Sequence, residues 1–212
     1  AITTLIGLLM SQLFRSLLVM TFGLALVVFA PSSRAETIAP DELVRRLATE
    51  VTNAVRNDPE LQNPQSPKIA DIVGRLIVPR FDFQRITQFA MGRNWAKATP
   101  QEQKDVVEQF SRLLTRTYSN AIASLKELDI EVKGTKTNSG ANDVTVKTQM
   151  IGRAQPVAID YSLINSAAGW KVYDVTVEGI SLITAYRDEF NTLVSSSGVS
   201  GLIEVLKKKN GE

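Results

Sequence analysis

The stretch FDFQRITQFAMGRNWAKATPQEQKDVVEQFSRLLTRTYSNAI, Phe81 to Ile122, reads as two strongly apolar helices joined by one sharply punctuated corner. Phe83, Ile86, Phe89 and Ala90 recur at helical spacing, with Asp82 placed to cap the start and Gly92 to end the helix. After GRNW, Thr99-Pro100-Gln101-Glu102 combines an N-cap threonine, a proline at the first helical position and a glutamate three residues after the cap, the pattern of a capping box. From there Val106, Val107, Phe110, Leu113, Leu114, Thr117, Tyr118, Ala121, Ile122 and Leu125 form a stripe broad enough to need burial on two sides or along a wide groove. The rest of the chain is read as cover for that stripe.

Upstream, Pro40 to Val55 is expected to be a helix with Asp41 and Glu42 in its first turn and Leu43, Leu47, Val51 and Val55 at steps of four. A polar linker over Asn57 to Pro67 leads to a second helix through Ile69, Ile72, Val73, Leu76 and Ile77, which Pro79 stops. Beyond residue 128 the apolar period falls from 3.6 to 2. Ile130 and Val132; Val144, Val146, Thr148 and Met150; and Val157, Ile159, Tyr161 and Leu163 alternate with polar residues, and a fourth strand runs from Trp170 to Val177. The connections have hairpin length, so the strands form an antiparallel meander. Glu178-Gly179-Ile180-Ser181 is read as the cap of a helix through Leu182, Ile183, Tyr186, Phe190, Leu193 and Val194, broken at Ser195 to Gly198 and followed by a last short helix. The expected class is α+β: a twisted four-stranded antiparallel sheet with helices on one face.

The first 35 residues carry no acid and two bases, Arg15 and Arg34, around an apolar run from Leu17 to Ala30. That run is shorter than the roughly 17 to 25 residues of a spanning helix, and Ser33-Arg34-Ala35 fits the small-x-small rule of an export peptidase. Residues 1–35 are therefore expected to be a secretory leader, with an uncleaved anchor as the alternative, and residues 36–212 a single domain. Removing the leader leaves 22 basic residues against 22 acidic ones. A neutral chain lacks the clustered positive surplus that nucleic acid binding relies on. The run Lys207-Lys208-Lys209 closes the last helix and complements its dipole.

The chain has no histidine and no cysteine, so Ser-His and Cys-His nucleophile pairs and the usual zinc and copper sites are missing. GTKTNSG lacks the spacing of a phosphate-binding loop and reads as a hairpin turn. Asp160 beside Tyr161, and Tyr173 beside Asp174, point to opposite faces of their strands and do not converge on one substrate. Asp174, expected on the face of Trp170 and Val172, is better suited to holding a helix end by hydrogen bonds than to acid-base work. No catalytic residue, metal site or cofactor is assigned, and the chain is read as a non-enzyme.

At FDFQRITQFAMGRNWAKATPQEQ, FSRLLTRTYSNAI and WKVYDVTVEGISLITAYRDEFNTLV the chain resembles the MlaC family, also called the Ttg2D or toluene-tolerance auxiliary family. The family's DF-(x)n-LGRxW corner is present with Met91 in place of leucine, its RTY as Arg116-Thr117-Tyr118, and its YDV-(x)n-EGxSL-(x)n-YRxxF over Tyr173 to Phe190. The resemblance extends over nearly all of residues 36–212. It implies an NTF2-like fold enclosing an apolar pocket for acyl chains, with the headgroup facing solvent. It further implies a periplasmic phospholipid carrier working between an outer-membrane lipoprotein complex and an inner-membrane ABC transporter complex, maintaining the lipid asymmetry of the outer membrane. On that reading the lipid-binding lining is assigned to Phe83, Ile86, Phe89, Phe110, Leu114, Tyr118, Val146, Tyr161, Val175, Ile180 and Tyr186. Each of these fits a plain core equally well, and a non-enzymatic envelope adaptor with a filled core is the alternative.

Export is expected to remove residues through Ala35, so protein recovered from the periplasm should begin at Glu36. N-terminal sequencing that still reads through Arg15 would overturn the leader.

Overall fold

A computed structural model describes residues 38–63, 66–127, 129–152 and 155–212. The expected leader and its cleavage point, and parts of the two connections Asn57 to Pro67 and Gly152 to Pro156, lie outside the described residues.

The helices begin where local chemistry dictates. Helix α1, Pro40–Asn57, opens on a proline with Asp41 and Glu42 in its first turn, and buries Leu43, Val44, Val51 and Val55. Its fixed proline φ and first-turn acids suit the helix start, where N–H groups are unpaired and the dipole is positive. Helix α2, Pro67–Ile72, is capped by Ser66, whose Oγ accepts from the Lys68 N–H at 3.3 Å. The expected continuation through Ile77 is present in altered winding. A π turn, Val73–Ile77, and a 3-10 turn, Val78–Arg80, carry the chain past Pro79. Proline has no N–H to give a regular helix, and loosening then tightening the winding accommodates it.

Asp82 accepts from the Arg85 N–H at 3.0 Å and starts helix α3, Phe83–Met91. Gly92 ends it at φ +53°, ψ −126°, a conformation that a side chain would strain. A 3-10 turn, Gly92–Lys97, makes the corner, and helix α4, Pro100–Ala123, follows. The capping box is formed in both directions: the Glu102 N–H donates to Thr99 Oγ1 at 3.2 Å and the Thr99 N–H donates to Glu102 Oε2 at 2.9 Å. Ser200 adds a hydroxyl donor to Glu102 Oε1 at 3.0 Å. Together these donors, the Thr99 N–H foremost, hold the Glu102 carboxyl below its ordinary value.

Five strands, β1 Asp129–Thr137, β2 Asp143–Ile151, β3 Val157–Ser166, β4 Gly169–Val177 and β5 Ile180–Ser181, form an antiparallel meander in that spatial order. The sequence pattern implied four. The fifth is two residues long, too short to alternate, and folds back on β4 through the Glu178-Gly179 turn, both of whose residues have positive φ, +49° and +82°. That geometry matches the right-handed twist of the paired strands. Helix α5, Leu182–Asn210, starts at Ser181, whose Oγ accepts from the Thr184 N–H, and bends at Gly198, φ +71°, ψ −178°. The break expected over Ser195 to Gly198 is thus confined to one glycine.

A bulge in β4 corrects one expectation. Ser162 pairs with Asp174 and Leu163 with Val172, leaving Tyr173 as the extra residue. The pleat changes phase there. Trp170 and Val172 before the bulge share the apolar face with Val175 after it, while Asp174 falls on the other face. On that face Asp174 accepts from Ser181 Oγ at 2.6 Å and from the Ile183 N–H at 3.2 Å. Its expected role at a helix end is present; its expected face is not.

Three apolar clusters result, and in one of them Val55 of α1, Ile69 and Ile72 of α2, Val73 of the π turn and Ala123 of α4 pack together. Ile86, Met91, Val106, Phe110, Phe190, Leu202 and Leu206 pack among α3, α4 and α5, while Val144, Val146, Leu163 and Val172 of the sheet pack with Leu43 and Val44 of α1. Thr99→Ala is expected to cost about 1 kcal/mol by removing the N-cap acceptor of α4. Thermal unfolding measures this, and an unchanged melting curve would show that the corner is held by other contacts.

Candidate functional site

Between the sheet and the helices lies a cavity of about 680 Å³. Its floor is the apolar face of the meander: Ile130, Met150, Ile159, Tyr161, Val172, Val175 and Val177. One wall is α1, through Leu43, Leu47 and Val51 at steps of four; the other is α4, through Leu114, Tyr118 and Ile122. The π turn contributes Val73 and Ile77, the start of α3 contributes Phe83 and Ile86, and the β5 corner contributes Ile180 and Leu182. The β4 bulge is what allows this floor. Without the phase change at Tyr173, Val175 and Val177 would point away from the cavity.

The lining is almost wholly apolar, with two charged members, Arg80 and Glu178. Tyr161 carries the most telling polar group. Its side chain lines the cavity, no hydrogen bond reaches its hydroxyl among the described residues, and desolvation alone pushes the phenol up to about 12 from an ordinary 10. A hydroxyl in such surroundings is disfavoured in a solid core. At the rim, Ile180 is 69% exposed, Tyr118 42% and Val177 41%. Apolar side chains with this much exposure mark an interaction edge.

Of the residues assigned from the sequence, Phe83, Ile86, Leu114, Tyr118, Tyr161, Val175 and Ile180 stand on the cavity wall, and four do not. Phe110 is fully buried inside the helical layer, edge-on to Phe190 at 4.9 Å and to Tyr186 at 4.8 Å. Tyr186 is the third ring of that group, so neither faces the cavity. Phe89 lies on the outer side of α3 against Tyr173, ring centroids 5.6 Å apart, with the Arg85 guanidinium over its face. Val146 is fully buried in the cluster where α1 meets the sheet. For Phe110, Tyr186 and Val146 the apolar periodicity is real but serves solid packing, while Phe89, 36% exposed, serves the outer surface of α3. The assignment also omitted the α1 wall and the π turn. The stripe of α1 was visible at steps of four, yet nothing in spacing separates a wall from a core.

Among the described residues no group of acids, histidines or cysteines could hold a metal ion, and no helix is long and apolar enough to cross a membrane.

The family model for MlaC protein matches residues 45–208. The chain belongs to the MlaC family. This MlaC-family chain is 28% identical over 190 residues to toluene tolerance protein ttg2D of Pseudomonas putida, covering 89% of this chain and 85% of that one. It is 17% identical over 201 residues to the intermembrane phospholipid transport system binding protein MlaC of Haemophilus influenzae, covering 93% and 94%. Among solved structures it matches a phospholipid-binding protein from Ralstonia solanacearum in complex with a phospholipid, at 36% identity and a TM-score of 0.73, over 80% of this chain and 95% of that one.

Tyr161 gives this MlaC-family cavity a pH signature. The folded state holds the phenol neutral, so its contribution to stability is undiminished below pH 10 and is lost as pH rises from about 10 toward 12, where the unfolded chain ionises first. Tyr161→Phe is expected to change stability at neutral pH by less than about 1 kcal/mol and to make the alkaline decline shallower. Urea midpoints at neutral and alkaline pH read both effects, and an unaltered alkaline slope would place the phenol in water.

Proposed function

We propose that the cavity holds the acyl chains of a phospholipid and that this MlaC-family protein is a periplasmic, non-enzymatic carrier. It would shuttle lipid between an outer-membrane lipoprotein complex and an inner-membrane ABC transporter complex, maintaining the lipid asymmetry of the outer membrane. The observation that carries this reading is the apolar cavity of about 680 Å³ in a fold shared with a protein whose structure contains a phospholipid. At about 30 Å³ for a water-sized group, that volume takes on the order of twenty such groups, the scale of a long acyl chain rather than a small solute.

Elementary energetics supports the same reading. At about 0.8 kcal/mol per methylene, leaving one long chain in water costs on the order of 10 kcal/mol, so a carrier moving through water must enclose it. The walls supply aliphatic and aromatic surface for that chain. The alternative adaptor needs a filled core, and the cavity and the unpartnered Tyr161 hydroxyl count against it. Two relatives point the same way by name, one a toluene tolerance protein and one a binding protein of an intermembrane phospholipid transport system.

Native mass spectrometry of gently purified protein should reveal bound phospholipid, and a bare monomer that takes up none on incubation with vesicles would refute the carrier. Enlarging wall and core side chains should give opposite results. Tyr161→Trp or Tyr118→Trp is expected to reduce bound lipid with little change in melting temperature, because the cavity offers room. Phe110→Trp, in the solid helical core, is expected to lose about 1 to 3 kcal/mol of stability through overpacking while lipid binding survives.

A further inference from the structure

The two charged residues on the cavity wall differ in their commitments. Glu178 is engaged, its Oε1 accepting from the Ala158 N–H at 2.5 Å while its own N–H donates to the Ala158 carbonyl at 3.0 Å. Arg80 is exposed, and among the described residues its guanidinium has no carboxylate or carbonyl partner. The acid nearest in sequence, Asp82, is taken by the Arg85 N–H at 3.0 Å and the Arg85 guanidinium at 3.4 Å. The backbone beneath Arg80 is held in place. The Phe81 N–H donates to the Val78 carbonyl, Phe81 bridges to Val172 of the sheet, and the Asp82 N–H donates to the Val172 carbonyl at 2.8 Å.

A free guanidinium rooted to the sheet on the wall of an otherwise apolar cavity has an obvious complement. The anion must arrive with an apolar body, and a planar fork of N–H donors suits the oxygens of a phosphate. The winding before Arg80 also fits a binding role, since π turns are rare and recur at functional sites. Here the π turn puts Val73 and Ile77 on the cavity wall three residues before Arg80 reaches it.

We propose that Arg80 anchors the phosphate of a glycerophospholipid whose acyl chains fill the cavity, an inference that rests on the carrier reading above. The headgroup then sits at the Val78–Arg80 turn with the chains running inward over Tyr161, and a lipid with the same chains but no phosphate binds more weakly. Arg80 thus acts in selection between phospholipid and neutral lipid.

The test crosses one residue with one headgroup. Phosphatidic acid and diacylglycerol carrying the same fluorescent acyl chain are titrated into the wild type, Arg80→Gln and Arg80→Lys. The wild type is expected to prefer phosphatidic acid by about tenfold, one charge-assisted contact in a partly exposed setting. Arg80→Gln should erase that preference with diacylglycerol affinity unchanged, and Arg80→Lys, which keeps the charge without the fork, should retain part of it. A preference that persists in Arg80→Gln overturns the proposal, as does a loss of affinity for both lipids alike. Inorganic phosphate alone, added at millimolar concentration, should not bind; a saturable phosphate signal lost in Arg80→Gln would assign Arg80 to free phosphate and overturn the lipid anchor. If the wild type takes up neither lipid, the carrier reading itself fails, a result distinct from a lost preference.

Discussion

An apolar cavity survives only if the layers that bound it are packed without filling it. In this protein the helical layer has a core of its own. Phe110, Phe190 and Tyr186 pack edge to edge within α4 and α5, and Ile86, Met91, Leu202 and Leu206 complete that core, with Tyr173 of β4 packed against it. The sheet in turn is capped by Leu43 and Val44 of α1 over Val146, Leu163 and Val172. Each layer therefore has a close-packed interior of its own, and a third cluster, with Val55 of α1 and Ala123 of α4, ties the two helical walls together beside the cavity. An apolar void between such walls is a poor site for water, which finds few polar partners there.

The walls must also be held at a fixed separation, and hydrogen bonds to β4 do this at the edge. The Asp82 N–H donates to the Val172 carbonyl, joining the start of α3 to β4, while the Asp174 carboxylate joins the opposite face of β4 to Ser181 and the first turn of α5. Both ties lie within three residues of the Tyr173 bulge. One extra residue in one strand thus turns valines toward the cavity and an aspartate toward a helix end. The same strand supplies the floor of the site and the anchorage of its cover.

The polar groups of the site divide by environment. Tyr161 sits among aliphatic side chains, where its phenol stays neutral and amphipathic. Glu178 is consumed in closing the β4–β5 turn, which presents Ile180 at the rim. Arg80 alone of the charged wall residues is uncommitted among the described residues.

The sequence by itself determined whatever depends on near neighbours along the chain. Proline at the first helical position, the Asp82 cap, the reciprocal Thr99–Glu102 box and the period-2 strands all act within a few residues, and the helices and main strands stand where those signals place them. Tertiary structure alone decided which apolar residues face the cavity. Phe110 and Leu114 lie on one stripe of one helix, yet the first is solid core and the second is wall, because the difference is set by what stands opposite. The bulge at Tyr173 and the two-residue β5 were equally hidden, since a change of pleat phase is fixed by pairing with β3 and a strand of two residues has no period to read. A helix or strand reports its own apolar face through spacing, but emptiness belongs to the space between elements, and no single segment encodes it.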